Sequence, residues 1–122
     1  MAATINDAAR AWAKGTYPAM AGVELLIFAR KVGHYPWVHV TRTNRITGHP
    51  EAAAIDVDEL LAASGAWSGQ EQRIVRIAAS LLDGPAINLS DEISGLDTDV
   101  LDTVLACLAL AGGVPTLHPA AG

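Results

Sequence analysis

The run from Ser68 to Pro85 limits what this chain can fold into more than any other stretch. Ser68 and Glu71 stand three residues apart at the head of a periodic apolar segment. In that pattern the serine hydroxyl accepts from the Glu71 N–H, and the glutamate carboxylate accepts from the Ser68 N–H. Both donors would otherwise be orphaned at a helix start. Ile74, Val75, Ile77, Ala78, Leu81 and Leu82 then share one face, with Gln72, Arg73, Arg76 and Ser80 on the wet side. Gly84 and Pro85 end the run. A chain holding this unit must bury an amphipathic helix against other elements, and the same punctuation elsewhere shows where they lie.

Thr4 or Asn6 caps a first helix through Lys14, ended by Gly15. Pro18 suits the first turn of a second helix running to about Val32 and closed by Gly33. Val23, Leu25, Leu26, Ile27 and Phe28 make this second helix the expected centre of the core. Ala21, Glu24, Phe28 and Lys31 form its outer stripe, along which the Lys31 stem reaches water. Asp56 and Glu59 repeat the capping box and open a helix through Leu60, Leu61 and Ala63 that Gly65 closes. Ser90 caps a single turn from Asp91 to Ser94. Asp97 caps the last helix, with Val100, Leu101, Val104, Leu105 and Leu108 on its inner face. Asp99 and Asp102 sit near its positive end, and Gly112-Gly113 with Pro115 stop it.

Residues 34–50 fit either a small hairpin turning at Thr43-Asn44-Arg45 or an ordered loop. Pro36, Gly48 and Pro50 interrupt an otherwise β-favouring Trp37–Thr41, so the sequence does not commit this segment to a sheet. The expected fold is mainly α: a compact single-domain bundle of five to six helices over residues 1–115, with a hairpin or ordered loop at 34–50 and a flexible tail at 116–122.

With 122 residues and 51% hydrophobic content, the chain suits one domain of ordinary size. Alanine supplies much of the apolar fraction, favouring helix while filling little core per turn, so self-association is expected. No window holds the 18 or so apolar residues of a membrane span. The N-terminus lacks a basic region followed by an apolar core. These features predict a cytoplasmic protein without a membrane partner. The lone Cys107 has no internal disulfide partner and reads as a buried structural thiol.

Charge is divided between the halves, with a net +4 over residues 1–50 and −9 over residues 51–122. The division points to a basic partner, attraction between the halves, or head-to-tail association. Acids gathered at helix starts account for much of it. Within the basic half, Arg30, Lys31, Trp37, Arg42 and Arg45 interleave cations with an aromatic ring, the composition that phosphate contact plus base stacking requires. They are the candidate interaction residues.

Ser68-Gly69-Gln70, Asp91-Glu92 and Leu96-Asp97 together resemble the signature of ABC ATPases, and Ser68 precedes Asp91 by about the spacing that family uses. The resemblance implies a phosphate contact at Ser68 and a water-polarising Glu92. Nucleotide chemistry also needs a glycine-rich loop ending in Lys and Ser/Thr to cradle the phosphates. The lysines are Lys14 and Lys31, and Ala13-Lys14-Gly15-Thr16 has no glycine before its lysine. Ala86–Ser90, preceding the acidic pair, carries two polar residues where a strand buried on both faces would be apolar. A stand-alone ATPase is excluded, and Ser68, Glu71, Asp56 and Asp97 read as helix caps.

The other constellations predict no enzyme, catalytic residue, metal, cofactor or small-molecule ligand. His34, His39, His49 and His118 follow no zinc spacing. Asp91-Glu92 and Asp97-Asp99 have no nucleophile or oxyanion donor beside them in sequence.

The wider pattern resembles a set of small uncharacterised proteins of actinobacteria and their phages. It is carried by Asp7–Ala13, Val23–Ile27, Ala54-Ile55-Asp56 with Leu60, Ser68-Gly69, Arg73, Ala78–Leu81, Asn88-Leu89, Asp91 and Gly95-Leu96-Asp97. That resemblance implies a cytosolic helical domain and no assigned activity. The function expected is a non-enzymatic interaction or accessory protein of bacterial or phage origin, binding another protein or its own copy. The alternative is a nucleic-acid-binding module using residues 30–49.

Overall fold

The computed structural model of this chain describes residues 4–114. In chain order they form α1 (Ile5–Ala13), α2 (Tyr17–Phe28), β1 (Val38–Thr43), β2 (Pro50–Ile55), α3 (Val57–Ser64), α4 (Gly69–Leu81), α5 (Leu89–Ser94) and α6 (Thr98–Ala111). The architecture is mainly α, with the two strands paired antiparallel. The expected tail at 116–122 and His118 lie outside the described residues.

α2 is the central element, as its composition demands. Ala21, Gly22, Val23, Leu25 and Leu26 are buried, and the helix packs against α1, α4 and α6. Gly22 lets α4 come close: a Cβ there would meet the Leu82 side chain at 2.8 Å and the Ala78 carbonyl at 3.0 Å. Leu60 of α3, Ile77 and Val75 of α4, and Val104 of α6 complete the fully buried set. Ala21 therefore belongs to the core instead of an outer stripe, because α2 has neighbours on more than one side.

α2 also stops sooner than Gly33 suggests. Its last turn closes with Lys31 N donating to Leu26 O at 2.8 Å, and Arg30 takes the left-handed position at φ 60°. This is a closure that glycine usually provides. The Tyr35 hydroxyl donates to the Arg30 carbonyl at 3.2 Å and so ties the following loop to the strained residue.

The segment after α2 is a hairpin, and its second strand runs to Ile55, past the 34–50 window. Asn44 builds the turn: its side-chain oxygen accepts from Ile46 N and Thr47 N, both at 2.9 Å, while Gly48 takes φ 75°. Such an Asx arrangement mimics a backbone turn. β2 contains Ala52, Ala53 and Ala54, which propensity assigns to helix. Tertiary packing overrides that preference. α1 lies on β2 with Ala8, Ala9 and Ala13 buried, and small residues allow a close helix-to-strand approach.

The caps follow the sequence in part. Thr4 and Asp7 form a complete capping box on α1, and Ser68 and Glu71 form one on α4. Asp56 accepts from Glu59 N at 3.0 Å. Its own N–H, however, donates to the Trp37 carbonyl, and Glu59 turns away to His39. The reciprocal half of that box is absent because the Trp37 carbonyl, just before β1, has already satisfied the donor. α5 starts at Leu89 with Asn88 as its cap, so Ser90 lies inside the helix. Asp97 occupies the N-cap position of α6 without a side-chain cap bond, and its N–H donates to Gln70 Oε1 at 3.0 Å. On α6, Val104 and Cys107 face the core, whereas Leu105 is exposed.

Candidate functional site

Three polar or apolar arrangements stand out from the scaffold. The first joins the N-terminal half of α4 to α5 and the start of α6. The Gln70 side chain bridges Gly95 O and Asp97 N. One turn on, Arg73 donates to Asp91 O at 2.6 Å. Arg76 then clasps Glu92, with Nη2 2.9 Å from Oε1. Glu92 is buried, and its carboxylate raises the affinity of the Arg76 guanidinium for its proton. The letters of the ATPase-like signature are thus brought together, but as an interlocked structural unit. Both carboxylate oxygens of Glu92 accept from Arg76.

Beside this unit lies a cavity of about 150 Å³ lined by Leu61, Arg76, Ala79, Pro85, Ala86 and Ile87. A second, of about 120 Å³, is lined by Arg10, Met20, Glu24 and Leu110. Both fall below the roughly 300 Å³ at which ligand pockets for drug-sized molecules begin.

The second arrangement holds the sequence-predicted interaction residues, and the structure divides them. Trp37 is buried, and its indole N–H donates to Lys31 O at 2.7 Å. Its ring stacks on Tyr35 at 4.6 Å and meets Trp67 edge-on at 5.3 Å. Lys31 Nζ sits 4.0 Å over the Trp67 ring and pairs with Glu71. The Lys31 ammonium, then the Ser68 hydroxyl, hold the Glu71 carboxyl below its ordinary value. Arg42 pairs with Glu51 at 3.4 Å on the open face of the hairpin. Arg30 and Arg45 are exposed and make no ion pair among the described residues. Trp37 and Lys31 therefore serve an aromatic clasp that fixes the hairpin root to α4, and the arginines are left dispersed.

Next to that clasp, His39, Asp56 and Glu59 converge, with one potential ligand atom from each within 4.8 Å of the others. Sequence spacing could not show this, because the hairpin supplies the histidine and α3 the carboxylates. The atoms are already engaged. His39 Nε2 lies 2.8 Å from the Pro36 carbonyl, which only accepts, so that nitrogen carries the proton and also donates to Glu59 at 3.1 Å. Asp56 caps the positive end of α3.

The third arrangement is the outer side of α6. Among the described residues, α2 is the one element on which this helix packs extensively. Of its many apolar side chains, Val104 and Cys107 are buried, Leu101 and Leu108 are half-buried, and Leu105 is 45% exposed. The sequence reading missed this face because it placed Leu101 and Leu105 on the inner side. The signal available was the excess of leucines over what one helix face can bury.

Comparison with protein-family models, with curated proteins and with solved structures returned no match.

Proposed function

We propose that this chain is a non-enzymatic interaction protein, an accessory factor of bacterial or phage origin, that binds protein through the outer face of α6. The observation that carries this reading is Leu105, an exposed leucine at the middle of an apolar helix with one extensive neighbour. An isolated exposed leucine is ordinary, but Leu105 flanked by the half-buried Leu101 and Leu108 makes a continuous apolar strip of the kind that marks interaction sites. The bacterial or phage origin in this reading rests on the sequence resemblance alone.

The nucleic-acid reading of residues 30–49 draws less support. It needs free rings and free cations, whereas Trp37 is buried and Lys31 is held by Glu71. A gel shift at low salt decides between the two readings. The interaction reading is tested with tagged wild-type protein and its Leu105→Glu variant, each mixed with host lysate and with untagged copies of the chain. Retention of a partner by the wild type and its loss in the variant is the expected result. Equal retention by both, or by neither, overturns the reading.

A further inference from the structure

We infer that the partner of this face is a second copy of the chain, with two α6 helices pairing antiparallel across a two-fold axis at Leu105. The inference rests on the interaction reading above and names its occupant.

Thr98, Leu101, Leu105, Leu108 and Gly112 recur at alternating intervals of three and four residues, the seam by which one helix packs along another. Beside it runs a parallel row, Val100, Val104, Cys107 and Ala111, of which Val104 and Cys107 are buried against the chain's own core. α6 thus carries two adjacent seams: the fold fills the second row and also draws Leu108 from the edge of the first against the core, leaving Leu105 outward. The first row has Leu105 exposed at its midpoint and Gly112 and Thr98 exposed at its ends.

Symmetry and charge then select the occupant and the direction. A seam centred on one residue is self-complementary under a two-fold axis: Leu105 meets its counterpart, Leu101 faces Leu108, and Thr98 faces Gly112. This is the isologous arrangement that closed dimers use. The start of α6 carries Asp99 and Asp102, both exposed and without an ion pair among the described residues. At the other end, a Cβ on Gly113 would touch the Tyr17 ring at 3.5 Å. That contact sets the α1–α2 corner there, with exposed Lys14 three residues before Tyr17 and without an ion pair among the described residues. Antiparallel pairing lays each acidic end on the other copy's basic corner, twice. Parallel pairing would set Asp99 and Asp102 against their own copies, which is repulsive. Opposed rim charges of this kind fix orientation more than they add affinity.

The test uses the intact chain carrying Leu105→Cys. Air oxidation should give a species of twice 12.7 kDa on a non-reducing gel, while the wild type, whose Cys107 is 7% exposed, stays uncrosslinked. By light scattering the wild type should be a dimer and Leu105→Glu a monomer with an unchanged far-ultraviolet spectrum. Lys14→Glu should weaken the dimer, and adding Asp99→Lys should restore it. A wild-type monomer at all soluble concentrations, or a dimer indifferent to Leu105→Glu, overturns the inference. A monomer that still captures a foreign protein through Leu105 would overturn self-pairing and leave the interaction reading standing. A monomer that captures nothing would overturn both.

Discussion

Arg76 holds the carboxylate of Glu92 through two guanidinium nitrogens, on a side chain that is 11% exposed and that Arg73 also approaches at 3.6 Å. This relationship attaches α5 to α4. Its two carboxylate oxygens accept from Arg76 Nε and Nη2. The ATPase-like letters at Gln70, Asp91, Glu92 and Asp97 thereby have a structural use.

Removing the acid should expose how much depends on it. Glu92→Ala leaves Arg76 and Arg73 aimed at an empty site, and breaking a fully buried pair costs about 3–5 kcal/mol. The Arg76 side chain is 39% exposed and can turn to water, which lowers the expected loss to about 2 kcal/mol in urea unfolding. Amide exchange should rise first in α5, whose main neighbour is α4. An unchanged midpoint would show that the pair contributes nothing.

Gly95 and Arg73 should behave as one unit. A Cβ on Gly95 would overlap the Arg73 guanidinium, which must then swing off its bonds to Asp91 O and Glu92 O. Gly95→Ala and Arg73→Ala therefore remove the same contact by different routes. Their combination should fall short of additivity by about 1 kcal/mol in a double-mutant cycle. Strict additivity would mean that the arginine yields without loss.

How far the sequence alone was legible follows from the range of each signal. Local signals were: the Ser68–Glu71 box, the Asp56 cap, the apolar α2 and the buried Cys107 all depend on residues within a turn or two of one another. Signals that depend on neighbours were not. Ala52–Ala54 became a strand because α1 brings its own alanines against them, which no propensity scale contains. Glu59 left its capping role because Trp37 O already takes the Asp56 N–H. Leu105 faces out because α6 has one extensive neighbour, whereas its composition would suit two. The candidate interaction residues divide for the same reason: Trp37 and Lys31 found partners on α4 and its approach, 30 or more positions away, beyond any local pattern.

The cap and clasp on α4 predict a pH dependence. Lys31 and Ser68 hold the folded Glu71 carboxyl below its ordinary 4.5. Its contribution is then complete above that value and is lost as pH falls through the lower, folded one. Lys31→Met keeps the stem beside Trp67 but removes the charge, so its stability should fall less steeply from pH 5 downwards than that of the wild type. Ser68→Ala should cost about 1 kcal/mol at pH 7 through the cap itself. A Lys31→Met curve parallel to the wild type would show that the ion pair does not shape acid stability.

The thiol of Cys107 gives a test at the opposite end of the pH range. Burial, and then the nearby Glu24 carboxylate, push it from 9.0 to about 11. The thiolate is the reactive form, so Cys107 should resist a disulfide reagent at pH 8 while the chain is folded and react at once in denaturant. Because the folded value is the higher one, the stabilisation is complete below the unfolded value near 9 and is lost as pH rises toward 11. Cys107→Ala should therefore lose less stability than the wild type between pH 8 and pH 10.5, even though it starts lower from the small cavity it leaves. Rapid labelling of the folded wild type at pH 8 would place the thiol in solvent and contradict the packing of α6 on α2.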